Sequence, residues 1–152
     1  MRIGFFNNML DSDFIAEDAV REIQREVVDK VAQAGYSISH ESAEALPIMS
    51  RYYDAIIVHP RTLPWSPHPS YILNLAPKPT LILSASKAKI EGLIMELGRH
   101  PHLRYNHRIT PDSFINFLRE VEGNPQSFTP SRKRERQSLL DILLQKIRTN
   151  SN

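Results

Sequence analysis

The chain has 152 residues, which is long enough for one domain with a sizeable core, and its composition is that of an ordinary globular protein. It contains no cysteine, which excludes disulfides, a thiolate nucleophile and an iron–sulfur cluster. No apolar run reaches the roughly 18 residues of a membrane span, and the N-terminus has neither a signal-peptide nor a transit-peptide pattern, so we expect a cytoplasmic protein.

The charge is unevenly distributed along the chain. Residues 124–152 carry six basic residues against two acidic ones, a net charge of +4, which leaves 13 basic and 15 acidic residues, a net −2, in residues 1–123. A slightly negative globular part does not predict a nucleic-acid surface. On charge grounds, the tail is the candidate for such contacts.

Five apolar stretches alternate with helical patterns along the first 123 residues. Strands are predicted at residues 2–6, 36–40, 55–58, 80–83 and 103–109. Helices are predicted from a cap at residues 11–13 to residue 34, from residue 42 as a short helix restricted by Pro47, and at residues 70–75, 87–97 and 111–121. Gly35 follows the first helix, where a left-handed residue is favoured. Strands separated by helices predict a parallel sheet, whose sites lie beyond the carboxyl ends of the strands.

A proline-rich stretch is the first candidate for contacts with other molecules. Residues 60–69 contain four prolines, which exclude regular helix and strand, and Trp65 and Tyr71 flank or lie within this stretch. A rigid loop with aromatic side chains is typical of an interface. The equal alternative is that Trp65 covers the core.

The C-terminal region is the second candidate. Residues 1–123 predict the domain, residues 124–130 a linker and residues 131–149 an amphipathic basic helix. Arg132 and Arg134 belong to its basic first turns, while Leu140 and Leu144 belong to an apolar stripe. That stripe has three interpretations: it folds back on the domain, pairs with a second copy, or binds another protein.

Three local patterns resemble, in their order and spacing, the receiver domain of two-component response regulators. Glu44-Ala45-Leu46 precedes a strand that opens after Asp54 and ends at His59; the fourth strand continues as Leu83-Ser84-Ala85; and Arg108-Ile109-Thr110-Pro111-Asp112 leads into the last helix. The resemblance covers residues 2–122. It implies an α/β, flavodoxin-like, doubly wound fold with a five-stranded parallel sheet in the order 2-1-3-4-5 and an extra C-terminal helix.

The departures from the receiver pattern fall where receivers bind magnesium and accept phosphate. The replaced positions are Asn7 and Asn8 for the metal-binding acids, His59 for the phospho-accepting aspartate, Arg108 for a lysine and Ile109 for a proline, while Ser84 keeps a hydroxyl. Magnesium requires hard anionic oxygens, and an acyl phosphate requires a carboxylate. The resemblance therefore implies a degenerate receiver with no catalytic residue, metal or cofactor, in which these side chains form at most an anion or ligand pocket.

We therefore expect a non-catalytic, phosphorylation-independent regulatory or adaptor protein that acts on another regulatory protein or pairs with a second copy. Tyr105 joins the residues of the proline-rich stretch and the terminal helix as an interaction candidate. One alternative is a phosphocarrier or anion-binding enzyme in which His59 works with Ser84 and Arg108. Another is a nucleic-acid-binding regulator that acts through residues 132–148.

Overall fold

The structure, a computed structural model, describes residues 1–7, 17–59, 70–129 and 143–147. The strands are β1 Ile3–Asn7, β2 Ile38–Ser42, β3 Ala55–His59, β4 Thr80–Leu83 and β5 Leu103–Asn106. The helices are α1 Glu17–Gln33, α2 Leu46–Met49, α3 Ser70–Asn74, α4 Lys87–Leu97 and α5 Pro111–Gly123. Short 3₁₀ turns occupy Ala43–Ala45, Ser50–Tyr52 and Pro125–Phe128. None of the helices in these ranges is long and apolar enough to cross a membrane.

The five strands form one parallel sheet in the order β2-β1-β3-β4-β5. This confirms the α/β, flavodoxin-like, doubly wound arrangement that the sequence predicts. β1 lies between β2 and β3, so the strand order reverses beside β1 and the carboxyl ends of β1 and β3 meet at the switch point.

Each face of the sheet buries its own apolar cluster. On the side of α1 and α5 the buried side chains include Phe5, Val31, Ile57, Leu83, Phe114 and Leu118. On the side of α2, α3 and α4 they include Phe6, Ile56, Val58, Ile72, Ile82 and Leu93. Because β3 is buried on both faces, it is continuously apolar, as the sequence indicates.

The bounds of β1 and β3 differ from the prediction by one residue, and those of β2 and β5 differ by more. β2 runs from Ile38 to Ser42 rather than over residues 36–40, because its register with β1 continues as far as the pair formed by Asn7 and Ser42. β5 ends at Asn106 rather than at residue 109, because the Asn106 Oδ1 atom accepts the backbone N–H of Arg108 at 3.0 Å and turns the chain away from the sheet.

The helix boundaries follow local signals closely. α4 has the predicted bounds, with the Ser86 hydroxyl accepting the N–H of Lys89. α5 starts after a reciprocal capping box between Thr110 and Ser113, with Pro111 in its first turn. α1 ends before Gly35, whose φ of 96° lies in the left-handed region.

The 3₁₀ turn Pro125–Phe128 packs on the domain, within the range predicted as a linker. Phe128 is 4% exposed and lies edge-on to Phe117, with ring centroids 6.0 Å apart. The guanidinium carbon of Arg104 lies 4.2 Å from the centre of the Phe128 ring. The packed structure therefore continues past residue 123 to Phe128.

Gly4 and Gly92 give opposite predictions for the same substitution. A Cβ atom at Gly4 would lie 2.6 Å from the ring of Tyr53, and that ring is fixed because its hydroxyl donates to Glu41 at 2.6 Å. We expect Gly4→Ala to lower the free energy of unfolding by roughly 1–3 kcal/mol, because the core must shift. Gly92→Ala enters open space within α4 and should raise that free energy by up to about 1 kcal/mol.

Urea denaturation of the two variants beside the unchanged protein measures both effects. If Gly4→Ala were as stable as the unchanged protein, the close approach of Tyr53 to β1 would not be a constraint on the fold. The Gly92→Ala variant controls for the change from glycine to alanine in the unfolded chain, which both substitutions share.

Candidate functional site

The carboxyl edge of the sheet brings together side chains from the ends of three strands. Asn7 ends β1 and pairs with Ser42 on one side and with His59 on the other. Ser84 follows β4 directly and donates its backbone N–H to the carbonyl of Asn106 at 3.1 Å. The parallel strands therefore place Asn7, His59 and Ser84 at the edge where the sequence predicts the site.

Asn7 and Ser84 are almost fully enclosed at this edge. Asn7 is 0% exposed and Ser84 is 2% exposed. The Ser84 hydroxyl oxygen accepts the backbone N–H of Ser86 at 3.2 Å, which closes the turn between β4 and α4. The hydroxyl that the sequence identifies as a candidate oxyanion ligand therefore has a structural role at the start of α4.

His59 is held as a neutral imidazole. Burial, together with the positive charge of Lys89, lowers the pKa of His59 to about 4, against a smaller opposing contribution from a backbone hydrogen bond. Its buried Nδ1 atom has no hydrogen-bond partner among the described residues. At neutral pH the ring therefore carries no charge and offers a lone pair rather than a carboxylate.

Lys89 is the residue of this edge that the sequence analysis missed. It lies in the first turn of α4, its backbone N–H donates to the Ser86 hydroxyl, and burial lowers the pKa of its half-buried side chain. A lysine is unfavourable at a helix N-terminus, where the helix dipole favours acidic side chains. Lys87 lies in the same first turn, so the sequence signals two lysines here without showing which of them lies beside His59.

We refer to Asn7, His59, Ser84 and Lys89 as the carboxyl-edge site. In the order of these residues, the site supplies an amide, a neutral imidazole, a hydroxyl and an ammonium group. Magnesium binds to carboxylate oxygens in preference to these groups, and the ammonium charge opposes a divalent cation. Across the described ranges, no group of three or more His, Cys, Asp and Glu side chains is placed to hold a metal ion.

No contact among the described residues joins Arg108 to this site. Arg108 is exposed, lies two residues beyond the end of β5, and makes no side-chain hydrogen bond or ion pair within the described part of the chain. The strand-end position next to β4 belongs to Asn106, which pairs with Leu83. The predicted alignment of Arg108 with the end of the fifth strand is therefore wrong, because β5 turns away earlier.

Of the residues predicted to contact a partner, the structure describes the side chains of Tyr105 and Leu144. Tyr105 is half-buried in β5, and its hydroxyl donates to the carbonyl of Gly98 at 2.6 Å. Leu144 is 55% exposed in the helical residues 143–147. The remaining calls lie outside the described residues or side chains: Asn8, Trp65, the Tyr71 side chain, Arg132, Arg134 and Leu140.

The fold and this edge define a class of protein: a doubly wound, flavodoxin-like α/β domain whose described switch-point residues carry no carboxylate. Comparisons with family models, with curated proteins and with solved structures found no match to the chain.

Proposed function

We propose that the protein is a cytoplasmic, phosphorylation-independent regulatory or adaptor protein, in which a degenerate receiver-like domain acts by binding another protein. The observation that supports this proposal is the neutral, largely enclosed His59 at the end of β3. At this position an aspartate would supply the carboxylate for an acyl phosphate. An imidazole cannot form that linkage.

The neighbours of His59 also oppose the chemistry of a phosphorylation switch. Asn7 supplies an amide oxygen without charge, and Lys89 brings a positive charge close enough to lower the pKa of His59. Among the described residues of this edge, a magnesium ion would find none of the anionic ligands that it needs and would meet an ammonium group. Regulation through contacts with a partner requires neither the metal nor the phosphate.

Exposure of the protein to acetyl phosphate and Mg²⁺ tests this proposal. We expect no phosphate addition by intact-mass spectrometry and no Mg²⁺-dependent shift of the amide resonances of residues 7, 59 and 84. A receiver domain with its full set of acids, treated in parallel, shows that the reagent is active. Phosphate addition to this protein, or saturable Mg²⁺ binding at the carboxyl-edge site, would contradict the proposal.

A second candidate is a phosphocarrier that uses His59. The observation in its favour is that a pKa of about 4 leaves the imidazole neutral, which is the nucleophilic form, at neutral pH. Against it, the Nδ1 atom is buried within the structure. This candidate predicts an acid-labile phosphohistidine, and His59→Ala with all activity intact would exclude it.

Self-association stays a further proposal for the terminal helix. Within residues 143–147, Leu143, Leu144 and Ile147 are 56%, 55% and 65% exposed. These spacings place the three apolar side chains on one side of a helix. Analytical ultracentrifugation of the full chain and of residues 1–129 would show whether the tail pairs two copies.

A further inference from the structure

Two histidines lie side by side in the turn that leads from α4 into β5. The ring centroids of His100 and His102 are 5.8 Å apart, and the ring planes are inclined by 52°. Pro101 separates them, and the Leu103 N–H donates to the His100 carbonyl at 3.0 Å, which closes the turn. The Thr80 N–H donates to the His102 carbonyl at 2.9 Å. Backbone bonds therefore fix both residues of this segment, which we call the histidine turn.

The His100 ring has a defined orientation and tautomer. Its Nε2 atom lies 2.9 Å from the carbonyl oxygen of Leu97, the last residue of α4. Because a carbonyl oxygen only accepts, Nε2 carries the proton, and in the neutral ring Nδ1 then has a lone pair. Metal-binding histidines commonly show this arrangement, in which one ring nitrogen donates to a carbonyl while the other binds the ion.

The His102 ring offers a lone pair as well. Burial, with a smaller contribution from the charge of His100, lowers the pKa of His102, so its imidazole is neutral at neutral pH. His102 is partly buried and His100 is exposed, so an ion can reach the pair from solvent. The charge of the neighbouring Arg99 opposes a cation only weakly, because that side chain is exposed and water screens it.

The spacing of the two rings fits a shared metal ion. An ion bonded to one nitrogen of each ring at about 2.0–2.1 Å, with a bond angle near tetrahedral or somewhat wider, places the ring centroids about 5–6 Å apart. The observed separation of 5.8 Å lies in this range. Imidazole nitrogens suit Cu²⁺, Ni²⁺ and Zn²⁺, whereas Mg²⁺ prefers oxygen ligands.

We infer that His100 and His102 together bind one divalent transition-metal ion, with Cu²⁺ held more tightly than Ni²⁺ or Zn²⁺. No group of three or more His, Cys, Asp and Glu side chains in the described segments could hold a metal, so water completes the coordination. Structural zinc sites use four protein ligands, and a site with two exchanges its ion with solvent. The histidine turn precedes β5, so it lies at the edge of the sheet opposite the carboxyl-edge site. The inference therefore goes beyond the proposed function and does not depend on it.

Titration of the full chain with Cu²⁺ and with Zn²⁺ tests the inference. We expect one tight Cu²⁺ site per chain, with two imidazole nitrogens in its electron paramagnetic resonance spectrum, and Zn²⁺ should shift amide resonances within residues 97–103. His100→Gln and His102→Gln should each bind at least about tenfold more weakly, because losing even a partner of a metal ligand costs that much. The matched control is His107→Gln, which removes an exposed histidine nearby and should bind as the unchanged protein does.

The amide spectra of the metal-free variants show whether each one is folded. Glutamine can also donate an N–H to the Leu97 carbonyl, so His100→Gln should keep the turn, and His102→Gln leaves that bond in place. Binding that ignores both substitutions, a spectrum with a single nitrogen ligand, or equal weakening by His107→Gln would overturn the inference. Mg²⁺ should leave residues 97–103 unshifted. Failure here is distinct from failure of the acetyl phosphate experiment, which probes residues 7, 59 and 84.

Discussion

Replacing Arg104 by methionine is expected to lower the free energy of unfolding by about 2–3 kcal/mol, the sum of several modest losses. The guanidinium donates from Nε and Nη2 to the Glu120 carboxylate at 3.1 and 2.8 Å, and it stacks over Phe128. The ion pair is partly solvated, with 29% and 40% of the two side chains exposed, so it contributes less than about 1 kcal/mol. The stacking and the two backbone carbonyls of Pro101 and Leu103 supply most of the rest.

The control for this prediction is Arg108→Met, which removes the same charge from an exposed side chain nearby. Its effect on the free energy of unfolding should stay within about 0.5 kcal/mol. Arg104→Lys keeps the charge but loses the planar fork, so it should resemble Arg104→Met rather than the unchanged protein. Urea denaturation that finds Arg104→Lys fully stable would show that charge alone, and not this network, holds the residue in place.

Amide hydrogen exchange, which reports local opening of the structure, provides a second measurement on the Arg104 variants. The turn Pro125–Phe128 is tied to β5 by Arg104, and its own bonds run from Ser127 N–H to Asn124 and from Thr129 N–H to Gln126, both at 3.1 Å. We expect hydrogen exchange at Ser127 and Thr129 to accelerate in Arg104→Met before the sheet is affected. Faster exchange at these two amides would show that Arg104 holds the turn Pro125–Phe128 on the domain.

Much of the fold could be predicted from the sequence because its signals are local. Apolar runs at β3 and β4, capping residues at Ser86 and Thr110, and the alternation of strands and helices predict the elements and a parallel sheet. The strand order 2-1-3-4-5 is implied by the resemblance to receiver domains and not by these local signals. Where a boundary depends on pairing with another strand, the local signal fails. β2 extends to Ser42 because β1 continues beside it, which the sequence of β2 alone does not indicate.

The candidate site could be predicted only in part, for the same reason. Asn7, His59 and Ser84 end strands, so the topology brings them together. Lys89 reaches the site from the first turn of a helix, and β5 ends two residues before Arg108, where the Asn106 side chain accepts the Arg108 N–H. Both outcomes depend on how the chain bends after a strand end, a property that spacing in the sequence does not determine.

His59 should make the protein increasingly unstable as the pH falls from about 6.5 to about 4. In the unfolded chain the imidazole takes up a proton below its ordinary pKa of 6.5, whereas burial and Lys89 hold the folded pKa at about 4. Between these values the unfolded state binds more protons, so the free energy of unfolding falls with pH, by about 3 kcal/mol in total from this residue. Below about pH 4 both states are protonated and this loss stops.

A His59→Gln variant isolates that contribution, because burial also lowers the pKa values of His40 and His102, whose effects remain in both proteins. Urea denaturation between pH 7 and pH 4 should show the unchanged protein losing about 3 kcal/mol more than His59→Gln. His107→Gln, at an exposed position, should follow the unchanged protein.

Direct titration of the His59 ring by NMR should give a midpoint near 4, and Lys89→Met should raise it, since a positive neighbour is removed. A midpoint near 6.5 would mean that the imidazole is solvated and charged in mildly acidic solution, which would remove the main support for a carboxyl edge closed to phosphate chemistry.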